Sequence, residues 1–252
     1  MAILRSSNPA LSEKIFGKSI EQSTQETMTV RGSIQKFGFL MLMVIVGAYY
    51  TWNLAEMRPN TMMTMMMVGV FGGFITAMAI IFKPNWAGYL SPLYGLLEGF
   101  FIGAISVIIN NAFAEKYPGI VIQAVGLTFG VAVAMFLLYS FKIIKATQKF
   151  RSVVIASTMG IGLFYLISMV LRLFHVDLPF MYNSSALGIS ISLFVVAIAA
   201  LNLILDFDMI ERGAEMGAPK YMEWYGAFGL LVTIVWLYIE ILKLLSRLGN
   251  RN

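Results

Sequence analysis

The chain contains no cysteine and one histidine, and only 12% of its 252 residues are charged. The missing cysteines exclude disulfides, thiolate catalysis and cysteine-based metal centres, and leave the redox compartment open. A catalytic triad needs a histidine in context, and the single one, His175, has none. Neither a Walker phosphate loop nor an HExxH pair is present, so enzyme activity is not expected. Also missing is the alternation of apolar and polar residues in segments of about ten that would mark a membrane β-barrel. Residues 1–36 mix charge with Ser, Gln and Thr and lack an apolar core of signal-peptide length, so the first long apolar stretch is expected to direct insertion.

What remains is apolar. Hydrophobic residues make up 59% of the chain, too many for a soluble domain of this length. They gather in seven stretches, 37–54, 62–82, 87–110, 119–141, 153–174, 186–205 and 225–245. At about 1.5 Å rise per residue, roughly 20 residues cross a ~30 Å hydrocarbon core, and the stretches lie near that length. Hydrocarbon offers no water to backbone N–H and C=O groups, so each stretch is expected to be helical. The expected fold is an all-α membrane protein of seven transmembrane helices.

The net charge of +5 reads as topology rather than nucleic-acid binding. With an odd number of spans, residues 1–36 share a side with the connections after spans two, four and six. That side carries twelve of the eighteen Lys and Arg residues: Arg5, Lys14, Lys18, Arg31, Lys36, Lys83, Lys142, Lys145, Lys149, Arg151, Arg212 and Lys220. The positive-inside rule then predicts a cytoplasmic N-terminus.

Residues 1–36 read as a polar cytoplasmic arm and 37–248 as one seven-helix domain with short connections, so successive helices should be antiparallel neighbours. The longest and most acidic connection is expected over 206–224, which holds Asp206, Asp208, Glu211, Glu215 and Glu223. No internal repeat supports an inverted-repeat transporter. Gly69 with Gly73, Gly99 with Gly103 and Gly126 with Gly130 form GxxxG steps that let helix backbones approach closely. Met62, Met63, Met65, Met66 and Met67 lack Cys or His beside them and read as packing or lipid-facing residues rather than a copper site.

Three acids fall in or at the ends of spans: Glu98, Asp206 and Glu240. An acid at mid-membrane depth costs about 2.5–3.5 kcal/mol on insertion scales, so it should face protein, water or a cation. Glu240 has Lys243 at i+3, which leaves two readings: an interfacial ion pair, or an inward-facing functional carboxylate. Asp206 follows Asn202 by one turn and is expected to close span six, where the helix dipole disfavours its charge. Asp208 and Arg212, at i,i+4, are expected to form a solvated salt bridge. Around Glu98, Pro92 removes a backbone donor while Gly95 and Gly99 open the helix surface. This pattern suits either a broken, hydrated helix or a structural kink. His175, beside Asp177, reads as a solvated loop residue, and Asn183-Ser184-Ser185 matches a glycosylation acceptor.

The run Leu237-Tyr238-Ile239-Glu240-Ile241-Leu242-Lys243 resembles the closing helix of the transmembrane Bax inhibitor motif family. Asp206 followed by Glu211, Ala214, Glu215, Gly217 and Tyr221 is similar to that family's sixth-helix acid and the loop after it. Pro92, Tyr94, Glu98, Gly99 and Gly103 are similar to the third-helix pattern of its bacterial branch. The resemblance spans residues 30–248, with Glu240 standing where the family usually has Asp.

It implies a bundle in which the last helix is surrounded by the other six, in a bacterial cytoplasmic membrane. It further implies a pH-sensitive leak of Ca²⁺ or another cation, latched by paired acids of helices six and seven, here Asp206 and Glu240. These would also be the tentative Ca²⁺ ligands, with Glu98, Asn202 and Asp208 lining a hydrated interior. The expected partners are the bilayer and the cation, with no nucleic acid and no cofactor beyond transported Ca²⁺. A second expectation is a non-conducting regulator that binds a membrane protease or a cell-death or stress factor. A third is a proton-coupled carrier.

Overall fold

The computed structural model describes residues 26–176 and 184–250. Asp177 and Asn183 lie outside the described residues, as does the arm up to residue 25. Among the described residues, seven long helices carry the fold: α1 (Val30–Met57), α2 (Pro59–Phe82), α3 (Ala87–Ala112), α4 (Ile120–Ser140), α5 (Gln148–Leu173), α6 (Ala186–Glu215) and α7 (Met222–Gly249). Each is long and apolar enough to cross a membrane, so the protein is a multi-pass membrane protein.

Local sequence sets the ends of these helices. Thr29, Thr147 and Ser185 cap α1, α5 and α6 by accepting N–H donors from Gly32, Phe150 and Gly188. Pro59 opens α2, where its missing donor costs nothing. Gly217, at φ +69°, stops α6: its N–H donates to Ala214 C=O while Ala218 N–H donates to Gly213 C=O, closing a Schellman turn.

The last helix is the centre of the bundle. In its most apolar window 72% of α7 is buried, against 17% for α4 and α5. It packs on α1, α3, α4 and α6, burying Tyr225, Phe228, Leu231 and Leu237 completely. Tyr94 of α3 meets Phe228 edge-on, with ring centroids 4.8 Å apart. The outer helices keep wide apolar faces turned outward, including Phe71, Phe74 and Ile75 on α2 and Ile122 on α4, as lipid contact requires.

Two of the three glycine steps do the packing expected of them. On α3, a methyl group built on Gly99 would lie 3.0 Å from Gly47 Cα of α1, and one on Gly103 would lie 2.5 Å from Ala48 C=O. A methyl on Gly69 of α2 would meet Leu97 C=O of α3 at 2.6 Å. Gly126 and Gly130 differ, with nothing within 4 Å of either. They mark an outward face of α4 rather than a helix contact. Met62 is buried beside Ala104 and Val107 with Met66 packed against them, while Met63 and Met67 face outward.

Three expectations about local structure are corrected. Helix α1 starts at Val30, seven residues before the expected span, because Thr29 caps it. The acidic stretch from 206 is helical through Glu215, leaving a connection of only 216–221. Apolar Phe207, Met209 and Ile210 interleave with its acids and keep one side packed. Finally, α3 runs unbroken through Pro92, which sits in the second turn, so the proline does not break the helix although it removes one backbone donor.

Candidate functional site

Because α6 does not stop at residue 205, Asp206 lies within a helix rather than at its end, away from the unfavourable dipole terminus. Its side chain is completely buried. Asp206 stands one turn before Ile210, and Ile210 packs against Gly226 of α7. That contact sets the register of the antiparallel pair and places Asp206 level with about Leu230, inside the α6–α7 interface. One turn earlier Asn202, also buried, donates to Thr158 Oγ1 at 2.8 Å and so ties α6 to α5.

Glu240 lies deeper along α7 and is also buried, at 2% exposure. It accepts the Tyr165 hydroxyl of α5 at 3.1 Å and the Lys243 ammonium at 3.0 Å. The ion pair forms, and only Lys243 reaches outward while the carboxylate faces protein. Two residues before Glu240, Tyr238 shares a 2.6 Å hydrogen bond with Ser106 of α3. The structure does not bring Asp206 and Glu240 together. Ten residues of α7 separate their levels, about 15 Å along the helix axis.

The Asp208–Arg212 pair is not solvated as expected. Asp208 is buried and bonds both Arg212, at 3.1 Å, and Arg151 of α5. Arg151 is itself only 5% exposed. The extension of α6 by three turns carries Asp208 inward against the start of α5, and two guanidinium groups offset its desolvation. Glu98 is half-buried between α3 and α2, with its carboxylate 3.2 Å from where a Gly73 methyl would stand. Gly73 thus leaves room for it. His175 is exposed at the end of α5, in keeping with a loop residue.

A second cluster was not singled out from the sequence. Glu223, in the first turn of α7, is completely buried and accepts from the backbone N–H and hydroxyl of Thr29, both at 2.9 Å. Lys36 of α1 pairs with it, and Lys220 lies 3.4 Å away. Its carboxylate occupies the space where Gly32 would carry a side chain. Met28 N–H donates to Ala218 C=O beside it. The start of α1 is therefore fastened to the start of α7. The sequence signal was faint: an acid just ahead of the last apolar run, and a glycine three residues after a capping threonine.

Down the central helix the buried polar groups form a ladder: Glu223 at one mouth, Asp206 on the facing helix, Tyr238 with Ser106, then Glu240 with Tyr165. Among the described residues no three His, Asp or Glu side chains gather as a metal cluster. The family model for Bax inhibitor 1 like proteins matches residues 8–250, nearly the whole chain. The chain belongs to the Bax inhibitor 1 like family. No curated protein and no solved structure matches it. In this family member the central position of α7 agrees with the fold that the resemblance implies.

Proposed function

We propose that this Bax inhibitor 1 like protein is a pH-sensitive leak for Ca²⁺ or a related cation, with Asp206 and Glu240 as the ionisable groups on its path. The observation that carries this reading is the complete burial of Asp206 between two apolar helices. An acid at that depth costs more than a neutral side chain and earns its place by changing charge or meeting a cation. Oxygen ligands suit a hard cation, and below its charged mouth the ladder supplies carboxylate and hydroxyl oxygens, with the Lys243 ammonium paired to Glu240 at its far end. Cation passage requires α6 and α7 to part along this ladder, since both helices are closely packed around it.

Calcium flux from pure protein in liposomes, measured across pH, tests the reading. The parent is expected to conduct more when both acids are ionised, and Asp206→Asn or Glu240→Gln to flatten the pH profile. If the acids form one latch in a state where α6 has shifted along α7, the two effects are non-additive. The separation of about 15 Å favours independent titration and additive effects. No flux at any pH would sink the leak and favour the regulatory reading.

Orientation follows from the basic count, which places Lys145 inside and the α3–α4 connection outside. Lys145→Cys should resist an impermeant thiol reagent in intact cells, and Lys116→Cys should react. Both positions are exposed and no native cysteine competes. The reverse labelling pattern would invert the topology.

A further inference from the structure

We propose that the cleft between α1 and α4 is a binding site for an anionic phospholipid, with an acyl chain in the cleft and the phosphate held by Lys142 and Lys145. The cleft has a volume of about 910 Å³, within the usual range for a ligand site. Phe37 of α1 and Phe129, Val133 and Phe136 of α4 form its walls, and Ile234 of α7 is part of its floor. Val133 and Phe136 are half exposed, so the cleft opens sideways, toward lipid, rather than along the bundle axis. From Ser140 at its rim to Phe129 is eleven residues of α4, about 16 Å of depth. That geometry fits a chain lying along the bilayer normal.

Charge decides what caps the chain. Asp208 engages Arg212 and Arg151 in ion pairs, and the Glu211 carboxylate is held by the Tyr139 hydroxyl, so each of these groups already has a partner. Lys142 and Lys145 have no carboxylate partner among the described residues and are exposed at the polar end of α4, where headgroups lie. Thr147, the cap of α5, also lines the cleft and brings the first-turn amides of that helix to the same rim. An apolar slot under two unpaired lysines is complementary to a phosphate bearing a hydrocarbon chain. A zwitterionic lipid brings a positive charge beside that phosphate and fits less well.

The full-length protein in detergent, titrated with dioleoyl phosphatidylglycerol or dioleoyl phosphatidylcholine and read by native mass spectrometry, tests the site. The parent is expected to retain phosphatidylglycerol selectively. Lys142→Ala with Lys145→Ala should reduce that preference roughly thirtyfold, as two lysines acting on one headgroup would. Its melting temperature in phosphatidylcholine should not change, because both side chains are exposed. Val133→Trp, which fills the slot, should displace the lipid while leaving the lysines in place. Equal retention of the two lipids by the parent, or unchanged selectivity in both variants, overturns the proposal. So does competition by glycerophosphoglycerol as effective as that of the intact lipid, which would assign the site to a soluble phosphate ester. A dimer mass replacing the lipid-bound monomer would assign the cleft to a second copy of the chain and overturn it equally.

Discussion

Gly99→Leu is expected to abolish the folded protein, whereas Gly130→Leu should leave it intact. Both glycines belong to GxxxG steps on apolar helices, so sequence motif alone predicts the same outcome for each. Gly99 instead sits where α3 and α1 touch backbone to backbone, with Gly47 Cα 3.0 Å from any added carbon and the Val44 carbonyl closer still. Backbone cannot step aside as a flexible side chain can, so the two helices must separate. In a bilayer that loss is not recovered by burying the new Leu, because lipid solvates it as well as protein does. Gly130 has nothing within 4 Å, and Leu there gains helix propensity of about 0.8 kcal/mol. Fluorescence-detected size-exclusion chromatography of the two variants decides it. A monodisperse Gly99→Leu peak at the parental position would contradict the packing described above.

Asp208→Ala is expected to lower stability by about 3–5 kcal/mol, the usual cost of removing one partner from a buried ion pair. The loss arises mostly from what stays behind: Arg151, 5% exposed, keeps a charge with no other ion pair among the described residues. Arg212→Ala should cost far less. Its side chain is 34% exposed, and Asp208 still has Arg151 when it is gone. Thermal unfolding in detergent should separate the two variants by on the order of ten degrees. Similar melting temperatures would mean that Asp208 reaches water and that the pairing contributes little.

The seven helices and the central position of the last were legible in the sequence for different reasons. Continuous apolar stretches announce spans directly, since hydrocarbon tolerates little else. The placement of α7 came from the resemblance around Glu240, and its completely buried Tyr225, Phe228 and Leu237 agree with it. The ends of the helices were harder to read. Helix α6 continues three turns past its last unbroken apolar stretch because only one side of it needs to be apolar there, and a hydropathy average over all sides misses such a stripe. That error made Asp206 a terminal acid and Asp208 a solvated one. Glu223 was obscure for another reason: Thr29, Gly32 and Lys36 lie about 190 residues away in the chain. No local pattern announces a partner at that distance.

The place of α7 in the bundle has a consequence for how the protein is made. The helix at the axis follows the other six in the chain, so all six are made before the segment at the centre of the bundle. Helices α1, α2 and α3 can join early, since their glycine contacts link neighbours in sequence. The side of α6 that packs on Gly226 of α7 forms only when that helix is present, and so does the closure of the mouth of α1 on Glu223. Until α7 is made, these surfaces belong to an incomplete assembly held together by short-range contacts. Folding of the bundle is then completed from the inside, by the helix that follows the other six.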